Sequence, residues 1–170
     1  MTPALADLNV KPGEKVLVYG IGNLGRQDDG LGIRLVEQLK ETVDVENLPR
    51  VITFECNYQL SIEDALLVSD YDVVFFVDAS REVQTSAPFT VRQLGAGAEL
   101  AFTTHAMSFQ SVLSLCEELY ERRPRTFLIA VHGYEWDIAE NLSHKAIQNL
   151  SSAFESMKRL LSGVTCMNSH

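Results

Sequence analysis

Short apolar runs alternate with amphipathic segments along most of the chain. A short apolar run is typical of a buried strand, and apolar residues at three- and four-residue spacing indicate a helix. The run at 72–80 is apolar at nearly every position, which is typical of a central parallel strand covered on both faces. The pattern predicts strands at 15–21, 50–55, 72–80, 87–94 and 126–134, and helices at 31–40, 61–69, 104–123 and 143–163.

The strand at 87–94 departs from a purely parallel arrangement, because it follows the strand at 72–80 after only a short polar link. A parallel neighbour needs a long crossover, so we expect this strand to be antiparallel or at an edge. The predicted fold class is α/β, a three-layer α/β/α sandwich of about five mostly parallel strands with one antiparallel strand. We expect a single domain over residues 1–170, with loosely ordered ends at 1–14 and 164–170.

Helix starts are marked by residues that favour N-capping. Ser143 precedes the last helix, and Thr103 or Thr104 precedes the long helix before it. Serine and threonine are favoured at this position because the side-chain oxygen accepts from a free backbone N–H of the first turn. The segment SIED at 61–64 fits a capping box, which predicts the start of a short helix.

The composition of the chain argues against some classes of partner. The net charge of −9 argues against nucleic acid or an anionic membrane as the main partner, since both require a basic surface. The N-terminal segment has no long apolar run, and no stretch reaches the length of a membrane span. Three widely spaced cysteines indicate no disulfide framework. We therefore expect a cytoplasmic protein without a nucleic-acid or membrane partner.

A glycine-rich loop, GIGNLGRQDDGLG, follows the first strand. Its glycines at 20, 22 and 25 spell the G-x-G-x-x-G pattern of dinucleotide-binding folds, in which a helix N-terminus faces a pyrophosphate. Here the loop delivers Asp28 and Asp29 into that space. Each carboxylate would repel a pyrophosphate by about 1 kcal/mol or more. We therefore expect no nucleotide cofactor.

Three side chains that can bind metal are predicted to gather at one edge of the sheet. Asp29 follows the first strand, Asp78 ends the third, and His105 lies at the start of the helix after the fourth. The carboxyl ends of neighbouring parallel strands meet at one crevice, where ligands bind in such folds. Two carboxylates and one imidazole suit a borderline divalent ion such as Zn²⁺ or Ni²⁺.

Each of these acids and the histidine also has a structural interpretation. Asp28 can be a helix N-cap or a loop-stabilising acid instead of a ligand. Asp78 can accept from loop amides at its strand end, and His105 can be an ordinary residue of a first helical turn. Cys56 lies at a strand exit without an identifiable helper. The histidines at 132, 144 and 170 carry weaker functional signals.

Three motifs together resemble those of the [NiFe]-hydrogenase maturation endopeptidases. They are the loop GIGNLGRQDDGLG, the strand end VDAS, and THAMSFQSVL at the start of the long helix. The resemblance runs over nearly the whole chain. It implies an α/β/α sandwich with a five-stranded sheet and one antiparallel strand. It also implies an enzyme that cuts a short C-terminal extension from the hydrogenase large subunit after nickel insertion.

The resemblance implies roles for particular residues. The metal-binding positions of the family correspond to Asp29, Asp78 and His105. Nickel would be contributed by the substrate, the precursor of the large subunit, and Zn²⁺ or Cd²⁺ can occupy the site in vitro. A cation polarises a carbonyl or lowers the pKa of water, and Asp29 or Asp28 is expected to act as the general base. We expect the protein to act as a monomer.

Two loops are candidates for contact with the substrate. The turn after the second strand reads ECNYQLS, where family members often have a Gly-Gly-Thr-like turn, so the resemblance does not extend to substrate preference. In HGYEW, after the fifth strand, an aromatic pair can contact the partner or cover the end of the sheet. The candidates are Gly22, Asn23, Asn57, Tyr134 and Trp136.

Two other functions compete with peptide hydrolysis. One is a nucleotide- or metal-binding α/β module without peptidase activity. The other is a scaffold that docks the precursor without cleaving it. Ligand-binding measurements separate the first from a peptidase, and a cleavage assay separates the second.

Overall fold

The computed structural model describes residues 4–82, 86–96 and 107–163. Its strands are β1 (Lys15–Ile21), β2 (Val51–Asn57), β3 (Val73–Ser80), β4 (Phe89–Leu94) and β5 (Arg125–His132). Its helices are α1 (Leu31–Thr42), α2 (Asp64–Ser69), α3 (Phe109–Tyr120) and α4 (His144–Ser162), and 3₁₀ turns occur at Leu5–Asp7, Gln27–Gly30 and Val45–Asn47.

These five strands form one sheet in the order β2-β1-β3-β5-β4. The pairs β1–β2, β1–β3 and β3–β5 are parallel, and β4 pairs antiparallel with β5. The predicted fold class is confirmed, including the antiparallel strand at the edge. Because β1 and β3 are neighbours, the loops that leave their carboxyl ends lie side by side, as the metal-site hypothesis requires.

Two hydrophobic cores cover the two faces of the sheet. Along β3, Val73, Phe75 and Val77 pack into the core that includes α1 and α4, whereas Val74 and Phe76 pack into the core that includes α2 and α3. All five side chains are almost completely buried. This two-sided burial explains the unbroken apolar run of the strand.

Helix α3 is shorter than the sequence predicts. It begins at Phe109, because the hydroxyl of Ser108 accepts from the backbone N–H of Ser111 and caps the helix there. It ends at Tyr120, after which Glu121 adopts a left-handed conformation with φ of 54°. The prediction of a helix over 104–123 is therefore wrong at both ends. Thr103 and Thr104, the expected caps, lie outside the described residues.

Helix α4 matches its prediction closely. The hydroxyl of Ser143 accepts from the backbone N–H of Ala146, which confirms Ser143 as the N-cap. The helix ends at Ser162, and its C-cap Gly163 has φ of 71°, a conformation that glycine adopts without strain. Within the described part of the chain, no helix is both long and apolar enough to cross a membrane.

The N-terminal segment contributes to the core. Leu5 and Val10 are 5% and 3% exposed and join the cluster that α1 and α4 cover. This packing differs from the expected loose end at 1–14, of which residues 1–3 lie outside the described part. The expected loose end at 164–170 also lies outside it, and the single-domain prediction stays a prediction.

Candidate active site

A tight loop over residues 22–30 connects β1 to α1 and carries Asp29. Gly22 has φ of +152°, and a side chain there would collide with the carbonyl oxygen of Asp29. The backbone N–H of Asn23 donates to Oδ2 of Asp29 over 3.1 Å. The loop therefore folds back on itself and holds the Asp29 carboxylate beside the end of β1.

Most backbone amides of this loop are already paired within the protein. The N–H groups of residues 23 and 25–29 all donate to protein oxygens. Helix α1 starts only at Leu31, after the 3₁₀ turn Gln27–Gly30. A pyrophosphate loop needs free N–H groups at a helix N-terminus. The arrangement favours a carboxylate-bearing turn over a nucleotide cradle.

Asp28 is fully buried and its carboxylate is saturated with hydrogen bonds. Oδ2 accepts from the backbone N–H groups of Tyr134 (2.7 Å) and Glu135 (2.9 Å) and from the hydroxyl of Ser143 (2.6 Å). Oδ1 accepts from the backbone N–H of Ser143 over 2.8 Å. Asp28 makes no capping bond to α1, whose start has no side-chain cap. The structure thus favours the loop-stabilising role over the catalytic one, because the carboxylate is buried and already accepts four hydrogen bonds.

These bonds also set the acidity of Asp28. Burial raises the pKa of its carboxyl, but the hydrogen bonds from Ser143, Tyr134 and Glu135 together outweigh burial and hold the pKa below its ordinary value of 3.8. Asp28 is therefore ionised at neutral pH. Its hydrogen bonds connect the loop that carries Asp29 with the loop after β5.

Gln27 strengthens the same junction, and sequence reasoning missed it. Its amide nitrogen donates to the carboxylate of Glu135 (3.1 Å), and its amide oxygen accepts from the backbone N–H of Asp137 (3.0 Å). Its backbone has φ of 46°, which is unusual for a residue with a side chain. The sequence holds no signal for this role, since its partners lie more than a hundred residues away.

Asp78 lies near the end of β3 and is largely buried. Its Oδ1 accepts from the backbone N–H of Ala79 over 2.8 Å. Burial raises the pKa of this carboxyl to about 7, the bond from Ala79 lowers it, and the negative charge of Asp29 raises it further. The charge effect means that the two carboxylates are close enough to repel each other. A cation bound between them would remove this repulsion.

The structure therefore brings together two of the three predicted metal ligands. Beyond Oδ2 of Asp29 and Oδ1 of Asp78, the described contacts leave the other carboxylate oxygens of the pair without a protein partner. His105 lies outside the described residues. Within them, no group of three or more His, Cys, Asp or Glu side chains is arranged to hold a metal ion. The pair thus offers an incomplete, acidic site that needs further ligands.

Solved structures of hydrogenase maturation proteases match this chain over most of its length. The [NiFe] hydrogenase maturation protease HycI from Thermococcus kodakarensis matches with a TM-score of 0.68 and 24% identity, over 87% of this chain and 92% of its own. The hydrogenase 2 maturation peptidase from a Thaumarchaeota archaeon matches with a TM-score of 0.62 and 21% identity, over 87% and 98%. The chain has the fold of the hydrogenase maturation proteases.

The hydrogenase maturating endopeptidase HybD from Escherichia coli is a further match, with a TM-score of 0.61 and 18% identity over 84% of this chain and 89% of its own. No protein-family model and no curated protein sequence matches the chain. The resemblance that the motifs indicated is thus confirmed at the level of the fold.

Neutralising Asp78 is expected to stabilise this maturation-protease fold at neutral and alkaline pH. Its folded-state pKa of about 7 lies above the ordinary value of 3.8, so ionisation costs stability as pH rises through that range. Asp78→Asn keeps an acceptor for the Ala79 N–H and removes the charge. We expect its free energy of unfolding at pH 8 to rise by roughly 2 kcal/mol. This gain is smaller than the full pKa shift would give, because Asp78 is not fully buried.

Urea unfolding of both proteins at pH 4 and pH 8 measures this effect. The gain should nearly vanish at pH 4, where the wild-type carboxyl is mostly protonated in the folded protein. Equal stability of the two proteins at pH 8 would contradict the assigned burial and repulsion.

Residues at the other predicted substrate loops have different environments. Asn57 is exposed, and its side-chain oxygen accepts from the backbone N–H of Tyr58 (2.8 Å). Tyr134 is 48% exposed, and its hydroxyl accepts from the amide of Asn149 (2.9 Å). Trp136 is half-buried, with the Arg81 guanidinium 4.2 Å from its ring centre. Tyr134 remains available for a partner, whereas the packing of Trp136 favours the covering role.

His132, at the end of β5, is a buried residue whose ring is unsatisfied. It is 2% exposed, and both ring nitrogens lack a hydrogen-bond partner in the part of the chain described. Its backbone is firmly held, since its N–H donates to the Pro88 carbonyl (3.1 Å) and its carbonyl accepts from Asn149 (3.0 Å). The apolar run TFLIAVH was the available sequence signal for burial. The unpaired nitrogens leave no trace in the sequence.

Replacing His132 by leucine is expected to stabilise the protein. A buried polar group without a partner costs about 1–3 kcal/mol, and leucine has a comparable volume without polar atoms. For a chain of this length, a gain of about 1 kcal/mol raises the Tm by roughly 2–4 °C. His144→Leu, on the exposed first turn of α4, is the matched control and should leave the Tm unchanged. A lower Tm for His132→Leu than for the wild type would contradict this interpretation.

Cys56 is not a candidate nucleophile. Partial burial and the nearby Glu37 carboxylate raise the pKa of its thiol to about 11. The thiolate is the reactive form of cysteine, so this side chain is inert at neutral pH. Its position at a strand exit therefore gives no support for a catalytic role.

Proposed function

We propose that this chain is an endopeptidase that removes a C-terminal extension from the nickel-loaded large subunit of a [NiFe] hydrogenase. The observation that carries the proposal is that Asp29 and Asp78 lie at the carboxyl ends of the neighbouring strands β1 and β3, in the fold of hydrogenase maturation proteases. Peptide hydrolysis in hydrogenase maturation is the activity named for those solved structures.

In this proposal, nickel already held by the precursor is the recognition element. Asp29, Asp78 and His105 contact it, and the repulsion between the two carboxylates favours any bound divalent cation. Asp29 and Asp78 supply only part of a coordination sphere. They therefore suit an ion that arrives with most of its ligands supplied by the substrate. Zn²⁺ or Cd²⁺ would occupy the same carboxylates in vitro.

Asp29 is the proposed general base. One of its oxygens is oriented by the Asn23 N–H, and the other has no partner among the described contacts, so it can accept a proton from water. The resulting hydroxide oxygen attacks the scissile carbonyl carbon, the C–N bond breaks, and the proton passes to the leaving amine. Asp28 takes no part in the reaction, since its four hydrogen bonds hold it in place.

The proposed location, oligomeric state and cofactor use follow the sequence-based expectations. We propose that the enzyme acts as a cytoplasmic monomer on the precursor, without a nucleotide cofactor. The paired loop amides and the acidic net charge of −9 support the absence of a nucleotide.

Incubation of the purified chain with a nickel-loaded large-subunit precursor tests the activity. Mass spectrometry should show a precursor shortened at its C-terminus, together with the released peptide. An intact precursor after prolonged incubation would contradict the proposal. Calorimetric binding of a divalent cation without cleavage would instead favour the metal-binding module.

A further inference from the structure

Four apolar side chains are exposed in the loops that follow β1 and β2 and in α2. Leu24 is 37% exposed, Tyr58 62%, Ile62 61% and Leu66 55%. We call these four residues the rim patch. Leu66 lies in the first turn of α2, and Ile62 lies in the turn that leads into that helix. Tyrosine and large aliphatic side chains grouped beside a cleft are typical of protein interfaces.

The rim patch is connected to the proposed general base by two hydrogen bonds. The side-chain amide of Asn23 donates to the hydroxyl of Tyr58 (3.4 Å), and the backbone N–H of Asn23 donates to the Asp29 carboxylate (3.1 Å). Leu24 belongs to the same loop. A macromolecule seated on the rim patch would therefore touch the loop that carries Asp29.

The chain segment that carries Tyr58, Ile62 and Leu66 is acidic, and Arg122 of a neighbouring loop contacts its far end at Ser69, Tyr71 and Asp72. Residues 51–80 contain six Asp or Glu residues and no Lys or Arg, against a net charge of −9 for the whole chain. Of these acids, Glu55, Glu63 and Asp70 are exposed, and none of the three forms an ion pair within the described part of the chain. A complementary partner therefore presents basic side chains around apolar ones.

We propose that the rim patch docks a polypeptide surface of the precursor, one whose apolar side chains are ringed by Lys and Arg. This inference rests on the proposed function, because it takes the precursor as the substrate. Docking there would hold the body of the precursor beside the Asp29 loop while the extension enters the cleft. The apolar contacts supply affinity, and the unpaired acids select the partner and speed encounter.

The test measures affinity and cleavage separately. Binding of the precursor to the full-length Asp29→Asn variant is followed by calorimetry, with and without the added pair Ile62→Glu and Leu66→Glu. We expect the two glutamate substitutions to weaken binding about tenfold or more. In the enzyme that retains Asp29, they should raise KM and leave kcat unchanged. Ile147→Glu is the matched control, because Ile147 is 52% exposed on α4, against the other face of the sheet.

A second pair of substitutions, at two exposed acids, tests the docking surface without changing its apolar side chains. Glu63→Lys with Asp70→Lys should weaken binding about as strongly at low salt and much less at high salt. Unchanged affinity in both double variants, equal weakening by Ile147→Glu, or wild-type self-association through the rim patch would overturn the docking proposal. Binding without cleavage would overturn the proposed function alone, and a wild-type chain that does not bind the precursor would overturn both.

Discussion

Asp29→Asn is expected to abolish cleavage of the precursor while leaving the fold intact. The amide keeps the size of the side chain and can still accept from the Asn23 N–H, but it cannot take a proton from water. Loss of a general base costs about 10²- to 10⁴-fold in rate. Single-turnover cleavage with saturating precursor measures the effect on the chemical step.

The control for this result is Asp137→Asn, which removes an exposed carboxylate from the neighbouring loop. That variant should cleave at the wild-type rate, since the Asp137 backbone N–H, which donates to Gln27, is retained. If Asp29→Asn cleaves within a factor of two of the wild type, Asp29 is not the base.

Asp28→Ala is expected to destabilise the protein more than any other single change at the site. It removes a buried carboxylate and leaves the amides of Tyr134, Glu135 and Ser143 without their acceptor. We expect a loss of about 3–5 kcal/mol in the free energy of unfolding, because several donors become unpaired in the interior. Asp28→Asn should lose less, since its side chain still offers one acceptor oxygen.

Urea unfolding at pH 7 and thermal unfolding between pH 2 and pH 7 check this expectation. Because hydrogen bonds hold the folded-state pKa of Asp28 below 3.8, its stabilisation is present above that pH and is lost as pH falls below it. The difference between wild type and Asp28→Asn should therefore shrink in acid. A difference that is small at pH 7, or independent of pH, would show that Asp28 does not join the two loops.

Much of this fold could be predicted from local sequence patterns. The apolar runs located all five strands, and the short link before β4 indicated its antiparallel placement at the edge. The errors fell at the ends of elements, most clearly at α3. There Ser108 provides a cap inside a segment whose periodicity continues on both sides. Periodicity reports which face is buried, but a single hydrogen bond decides where a helix begins.

The site was predictable to a smaller extent. The sequence could place Asp29 and Asp78 at the carboxyl ends of neighbouring parallel strands, and their role as metal ligands stays a prediction. The sequence left Asp28 open between a capping, a loop-stabilising and a catalytic role, since its partners lie 106 to 115 residues away. The unsatisfied ring of His132 was equally hidden. These features depend on which loops meet in space, and a single sequence does not record that.

In the proposed function, nickel in the precursor licenses cleavage through the Asp29 and Asp78 carboxylates. The most direct test compares cleavage of nickel-loaded and nickel-free precursor by the wild-type chain under identical conditions. We expect rapid loss of the C-terminal extension from the nickel-loaded precursor and little or none from the nickel-free form. Equal cleavage of the two forms would contradict it.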